Sequence, residues 1–227
     1  MSRKVFTAGE VLAAADVNSF LMDQTVMSFA GTAARGSAIG TATEGMITYL
    51  EDSDRLDAYS GSAWLPAAGL TFIRSETFSA VSSVSLNNVF SSLYRDYLIV
   101  FTGNSSGADD LRYRLRVGGV DATGSNYDSG SLYMTSSAGP LRVFSSGSSF
   151  ARIGQSQIYR TMCSLLVCDP FITTTTTTNS QITAFGNTSY FDTSWSNHVV
   201  STSYDGITFL LSGGTITGTI KVYGYRS

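Results

Sequence analysis

The sequence predicts a mainly β protein: a short N-terminal helical anchor, a small β-hairpin module, and a C-terminal antiparallel β-sandwich that is jelly-roll-like. Three observations carry this. Past residue 70 the chain is organised in short alternating or apolar runs, and in Leu111–Val117 apolar and basic side chains alternate strictly. Gly, Ser and Asn turn signals separate those runs at short intervals, as in two-layer β architectures. There are only three prolines, and no long helical period follows residue 30. Composition then divides the chain into an anchor and linker at 1–42, a hairpin module at 43–69, and a sandwich at 70–227.

The elements follow in order. Thr7-Ala8-Gly9-Glu10 has the capping-box spacing, a hydroxyl followed three positions later by a carboxylate, and predicts a short helix through Val11 to Ala14. Asp16 can cap a second one. Val17, Phe20, Leu21, Gln24 and Met27 would share one face of it at helical spacing. A lone helix of that length is marginal in water, so its stripe must lie on its own domain or on another chain. Residues 30–45 are small, polar and Gly-rich, and predict an extended connector. Strands are predicted near Met46–Leu50, Arg55–Tyr59 and Ala63–Leu65. In the first, Met46 and Leu50 fall on one face, Ile47 and Tyr49 on the other. Both faces are apolar and both need cover.

In the sandwich region, Leu98–Phe101 is a fully apolar run suited to a sheet centre, and Ile158–Val167 predicts a long strand. Asp205-Gly206 and Gly213-Gly214 mark turns. In the last strand Ile216, Gly218, Ile220, Val222 and Gly224 share a face. The Thr run within residues 172–179 predicts an edge strand or an exposed loop.

Composition bounds function. Charged residues are 14% of the 227, against about 25% in an ordinary domain. The surface is therefore one of hydroxyls and amides. A net charge of −3 argues against binding nucleic acid through its phosphates. No run approaches the roughly 20 apolar residues that span a bilayer, and the N-terminal stretch lacks the apolar core of a secretory leader. Synthesis in the cytoplasm without membrane insertion is expected. Cys163 and Cys168 are five positions apart. On a strand they would face opposite ways, with Cα atoms about 16 Å apart, too far for a disulfide, which needs less than about 7 Å.

Candidate chemistry is sparse. Glu51, Asp52, Asp54 and Asp57 crowd a hairpin tip, but their spacing does not fit a calcium loop, and a tip offers no cleft for paired catalytic acids. A solvated turn closed by side-chain hydrogen bonds is expected. His198, the single histidine, has no nucleophile elbow to serve and is expected to be structural. No catalytic residue, metal ligand or cofactor site is predicted. Arg112, Arg114 and Arg116 would stand about 7 Å apart on one strand face. That ladder suits an anionic surface polymer or a neighbouring subunit's carboxylates, and equally a solvated or edge-protecting face. Tyr127, Tyr133, Tyr190 and Phe191 lie in loop-like surroundings, where aromatic faces could stack on sugars; core packing is the alternative for each.

One resemblance stands beside this reading. Gly9-Glu10-Val11-Leu12, Ala15-Asp16-Val17-Asn18, Gln24, Ala33-Ala34-Arg35, and Glu44-Gly45-Met46 leading into Leu50-Glu51-Asp52 resemble the N-terminal region of tail or minor virion proteins of tailed bacteriophages. The likeness covers residues 5–70, and the closing Tyr223-Gly224-Tyr225-Arg226 is similar to how such chains end. It implies a virion structural protein without catalytic activity, often a homotrimer, bound to other virion proteins (tail, baseplate or capsid) by its N-terminal part. A tail fibre or adhesin would present the β domain to a host-cell glycan. A baseplate, collar or head-surface part would contact no receptor. On that resemblance Val17, Phe20, Leu21, Gln24, Met27, Met46, Ile47, Tyr49 and Leu50 are the attachment and oligomerisation candidates. Arg112, Arg114, Arg116, Tyr127 and Tyr133 are the receptor-binding candidates.

Overall fold

The computed structural model describes residues 26–67 and 69–225, with Gly9, Val11, Ala13 and Ala14 singly. The chain divides into two compact units, Met1–Gly69 and Leu70–Ser227. Among the described residues, strands outnumber helices in both.

In the N-terminal unit, β1 (Met27–Phe29) pairs in parallel with β2 (Ile47–Leu50). β3 (Arg55–Tyr59) and β4 (Trp64–Pro66) continue the sheet antiparallel, in the order β1-β2-β3-β4. A seven-residue helix, α1 (Thr32–Ala38), lies between β1 and β2 in the chain. Two expectations change here. Residues 30–45 are not an extended connector, because Ala33, Ala34 and Arg35 carry a helical turn that buries Arg35. Met27 lies on a strand rather than a helix, since its backbone is captured by β2 opposite Thr48.

The inner face of this sheet is organised by charge. Asp57 is fully buried and clamped from two sides. Arg35 Nη1 donates to its Oδ2 at 2.7 Å, and Arg55 Nε to its Oδ1 at 2.7 Å. Arg35 also bonds Thr48 Oγ1 and lies 4.3 Å over the Trp64 ring. Burial pushes the Asp57 carboxyl up, but the bonds from Arg55 and Arg35 outweigh it and hold it below the usual carboxylate range. Asp57 is thus part of the core, whereas Glu51–Asp54 form the exposed turn expected of the tip. There Tyr49 Oη donates to Asp54 and Ser28 Oγ to Glu51.

The C-terminal unit is a β-sandwich. One sheet has eight antiparallel strands. From one edge they run β11 (Ala138–Ser148), β10 (Tyr127–Thr135), β15 (Tyr190–His198), β14 (Thr176–Phe185), β13 (Arg160–Cys168), β7 (Asp96–Ser105), β17 (Ile216–Tyr225) and β5 (Leu70–Val81). The second sheet runs β12 (Ala151–Gln155), β8 (Asp110–Val117), β16 (Gly206–Leu211) and β6 (Ser83–Leu86), with β9 (Val120–Asp121) paired to β8. One apolar core lies between them. Alternation supplies it: Tyr97, Ile99 and Phe101 from β7, Leu165 and Val167 from β13, Ile216, Ile220 and Val222 from β17. They meet Leu111, Tyr113 and Leu115 of β8 and Ile207, Phe209 and Leu211 of β16. Each fully buried large side chain is worth about 2–3 kcal/mol relative to exposure. Gly103 and Gly218 face each other where β7 and β17 pair, and a Cβ on Gly103 would stand 2.1 Å from the Thr217 carbonyl oxygen.

The Thr run divides: residues 172–175 form a largely exposed loop, as one of the two expectations has it. Its second half forms β14, a central strand between β15 and β13, with Thr176 and Thr178 buried. Thr178 is served there by hydroxyl partners: its Oγ1 lies 2.7 Å from Ser196 Oγ and 3.1 Å from Tyr113 Oη, whereas the Thr176 hydroxyl is buried without one. Cys163 faces inward and Cys168 is half-buried, both as free thiols.

Candidate functional site

The arginine ladder comes first. The three guanidinium groups do share a face of β8, but each is engaged within the unit. Arg116 bonds Asp121, Gly119 O, Ser85 Oγ at 2.9 Å and Asn87 Oδ1 at 2.9 Å. Arg114 donates to Ser149 O at 2.9 Å and lies 4.0 Å from Asp121. Arg112 lies 3.5 Å from Asp110 and 4.1 Å over the Phe150 ring. Asp110 and Asp121 are the counter-ions of all three, and Asp110 is shared with Arg152, so the ladder is held in place within the unit but not neutralised.

Tyr127 is not a surface residue. It is fully buried, its hydroxyl donating to Ala122 O at 3.0 Å and accepting from Leu115 N–H at 2.9 Å. This corrects its place among the receptor contacts: an alternating strand turned it inward. Tyr133 lies half-buried at the end of the same inner face, 6.1 Å from Tyr190 and 5.8 Å from the Arg152 guanidinium. His198 is buried against Tyr127, and its Nδ1 lies 3.2 Å from Tyr204 Oη. Burial lowers its pKa, which keeps the ring neutral at neutral pH.

The β10–β15–β14 end of the large sheet has its polarity inverted. Strand β15 buries Asp192, Ser194, Ser196 and His198, and turns Phe191, Thr193, Trp195 and Asn197 outward. Strand β10 buries Ser129 and Ser131 and exposes Leu132 and Met134. The buried polar groups are served from the second sheet. Arg152 of β12 donates to Ser131 Oγ at 2.6 Å and Asp110 Oδ1 at 3.0 Å, and its Nη1 sits 2.8 Å from Asp192 Oδ2. That last approach is close but not aligned as a hydrogen bond, since Asp192 Oδ2 has no such partner. Burial pushes the Asp192 carboxyl up despite Arg152.

The outer face of these strands is correspondingly aromatic. Trp195 is 49% exposed, Phe191 45% and Phe144 of β11 69%. Trp195 pairs with Gly130 across β15 and β10, and its indole lies over that glycine: a Cβ there would stand 2.7 to 2.9 Å from Nε1, Cε2 and Cζ2. The ring is pressed against the backbone on one side and open on the other. Phe144, also opposite Gly130, lies 6.1 Å from it. Beside Phe191 a depression of about 210 Å³ is lined by Val100, Met162, Ser164, Gln181 and Thr183. Of these residues the sequence reading singled out Phe191 alone. The signal for the rest was the alternation in Tyr190–His198, with aromatics on one parity and small polar residues on the other.

The N-terminal unit has an open face as well. Ile47 and Leu56 are exposed and Tyr49 half-buried on the side of the sheet opposite Asp57, and Val26 is exposed too. Val26, Tyr49, Arg55 and Leu56 line a hollow of about 480 Å³. Met46 and Leu50 are buried in the unit's own core, which removes them as contacts to another chain. Val17, Phe20, Leu21 and Gln24 lie outside the described residues. Among the described residues no group of three or more His, Cys, Asp or Glu could hold a metal ion, and no helix is long and apolar enough to cross a membrane.

Comparison with protein-family models, with curated proteins and with solved structures finds no match to this chain.

Proposed function

We propose that the chain is a virion structural protein of a tailed bacteriophage, a tail fibre or adhesin whose N-terminal unit attaches and assembles while its sandwich contacts the host surface. The observation that carries this reading is that each unit has its own buried core and leaves large apolar side chains exposed together on one sheet face. Single exposed apolar side chains need no explanation, but contiguous ones mark contact surfaces. The likeness of residues 5–70 to phage virion proteins supplies the particle. The jelly-roll-like character of the sandwich and the homotrimer belong to the same proposal. Ile47, Tyr49 and Leu56 are the residues through which sister chains would pack.

A second reading is a baseplate, collar or head-surface part without receptor contact. The arginine ladder favours it, because its guanidinium groups are engaged by Asp110, Asp121 and neighbouring polar groups of the same unit.

Light scattering on the purified chain tests the assembly. A particle of three times the 24.2 kDa chain mass is expected, and Leu56→Asp should shift it to one. A wild-type monomer at high concentration would refute the trimer. Fluorescent full-length protein binding intact bacteria separates the adhesin from the purely structural part.

A further inference from the structure

We infer that the outer face of β15, β14 and β10 is a binding site for a neutral oligosaccharide, with the Trp195 indole as its stacking platform. This rests on the reading of the sandwich as the contact unit and gives that contact a place and a chemistry.

Three properties of the face point to a sugar. The first is the flat indole. Trp195 lies against the backbone at Gly130, so it cannot act as a knob that inserts into a partner; it presents a whole π-face outward. A pyranose ring offers the matching surface, a patch of C–H bonds carrying partial positive charge, which the electron-rich ring face attracts. The second is the alternation of aromatic and polar rows. Trp195 and Phe191 stand four residues apart on β15, about 13 Å along the strand. Between them runs a row in which Thr193 is paired to Gln181, followed by Ser164 of β13. Hydroxyl and amide groups between two rings suit the hydroxyl rim of a saccharide, which needs donors and acceptors at its edge and C–H contact on its face. The depression beside Phe191 extends that row. The third is charge. No outward side chain of β14 or β15 is ionised; the charges on the same face of neighbouring strands, Asp128 of β10, Arg142 of β11, Arg160 of β13 and Lys221 of β17, flank the row between Trp195 and Phe191 rather than standing in it, so the row itself offers no cation to an acidic polymer. A protein partner would find a shallow surface in which polar rows interrupt the apolar ones, unlike the continuous apolar centre of a stable interface.

Internal partners let these strands bury polar groups, but they do not require an aromatic outer face. The same strands bury serines, a threonine pair and Asp192 while leaving a tryptophan in water, the reverse of the usual sorting.

The test is a two-dimensional NMR titration of the full chain with neutral hexasaccharides of glucose (α-1,4 and β-1,4), mannose and N-acetylglucosamine. The two tryptophans give two indole N–H signals, and Trp195→Phe assigns the one of interest. At least one glycan should move the Trp195 signal saturably, with Kd on the order of 1 mM or tighter, and leave the Trp64 signal in place. Gln181→Ala should weaken that binding about tenfold. Gly130→Ala, which touches no ligand but lifts the indole off the backbone, should weaken it about as much while the other sheet signals keep their positions. No response from any of the glycans up to roughly 10 mM would overturn the assignment. So would a response only to polygalacturonate that salt abolishes, or a Trp195 shift that follows protein concentration and marks a face between copies. Cell binding that survives Trp195→Ala would leave the adhesin standing and this site refuted. Glycan binding by a chain that never trimerises would leave the site standing and the fibre refuted.

Discussion

Asp57→Asn should unfold the N-terminal unit and spare the sandwich. The substitution keeps the shape of the side chain and removes its charge. Arg55 is one-third exposed and can turn to water, but Arg35 is only 7% exposed and would be left as a buried guanidinium without a counter-ion. Breaking a buried pair by removing one partner is destabilising by about 3–5 kcal/mol. The Asn oxygen can still accept one bond, and the Trp64 ring still covers Arg35, so the lower end of that range applies. A unit of roughly 40 residues holds only about 2–6 kcal/mol in total. Hydrogen exchange is the assay. Peptides spanning residues 46–66 should lose protection, while those spanning 97–101 and 163–167 keep theirs. Combining Arg35→Met with Asp57→Leu should recover most of the loss, because it removes both deeply buried charges at similar volume. Unchanged protection in Asp57→Asn would refute the claim that this carboxylate organises the unit.

The same carboxylate sets a pH dependence. Its folded pKa lies below the unfolded value of about 3.9. Its contribution is therefore fully present above about pH 4 and is lost as pH falls through the lower folded value; Trp64 fluorescence in an acid titration should show this, and Asp57→Asn should flatten it. Gly103→Ala should lower the sandwich melting temperature by the equivalent of at least 2 kcal/mol or so, because the new methyl meets the Thr217 carbonyl. A calorimetric scan matching wild type would count against that close approach. Tyr113→Phe should be mild, about 1 kcal/mol, since Thr178 and Ser196 still bond each other at 2.7 Å; denaturant unfolding measures it, and a loss several times larger would mean the tyrosine hydroxyl holds the pair together. Burial pushes the Cys163 thiol up to about 12, leaving roughly one thiolate in 10⁴ at pH 8. Iodoacetamide with mass spectrometry should therefore modify Cys168 first and Cys163 only on unfolding.

Much of the class was legible in the chain. The β content, the strands at Arg55–Tyr59 and Leu111–Val117, and the apolar face of Ile216–Gly224 follow from period-two alternation, a property of the backbone that any strand shares. Alternation also placed the two cysteines on opposite faces. It could not say which face is inside. In Tyr190–His198 the apolar parity is the aromatic one, and local reasoning turns it inward. The opposing layer decides otherwise: Arg152 of β12 and Tyr113 of β8 bring hydrogen-bonding groups to the interior, so Asp192, Ser194 and Ser196 can be buried and Trp195 is left outside. Burial of Thr178 depends on the same partners. The turn of helix at Thr32–Ala38 was hidden for a related reason: seven residues flanked by Gly-rich sequence are too short to announce a helix, and the partners that hold Arg35, namely Asp57, Thr48 and Trp64, lie further along the chain. By itself the sequence determined the period of each strand, because sterics act within a few residues. The sign of each face was decided by tertiary structure alone, because burying a polar group depends on partners some 20 to 80 residues away in the chain.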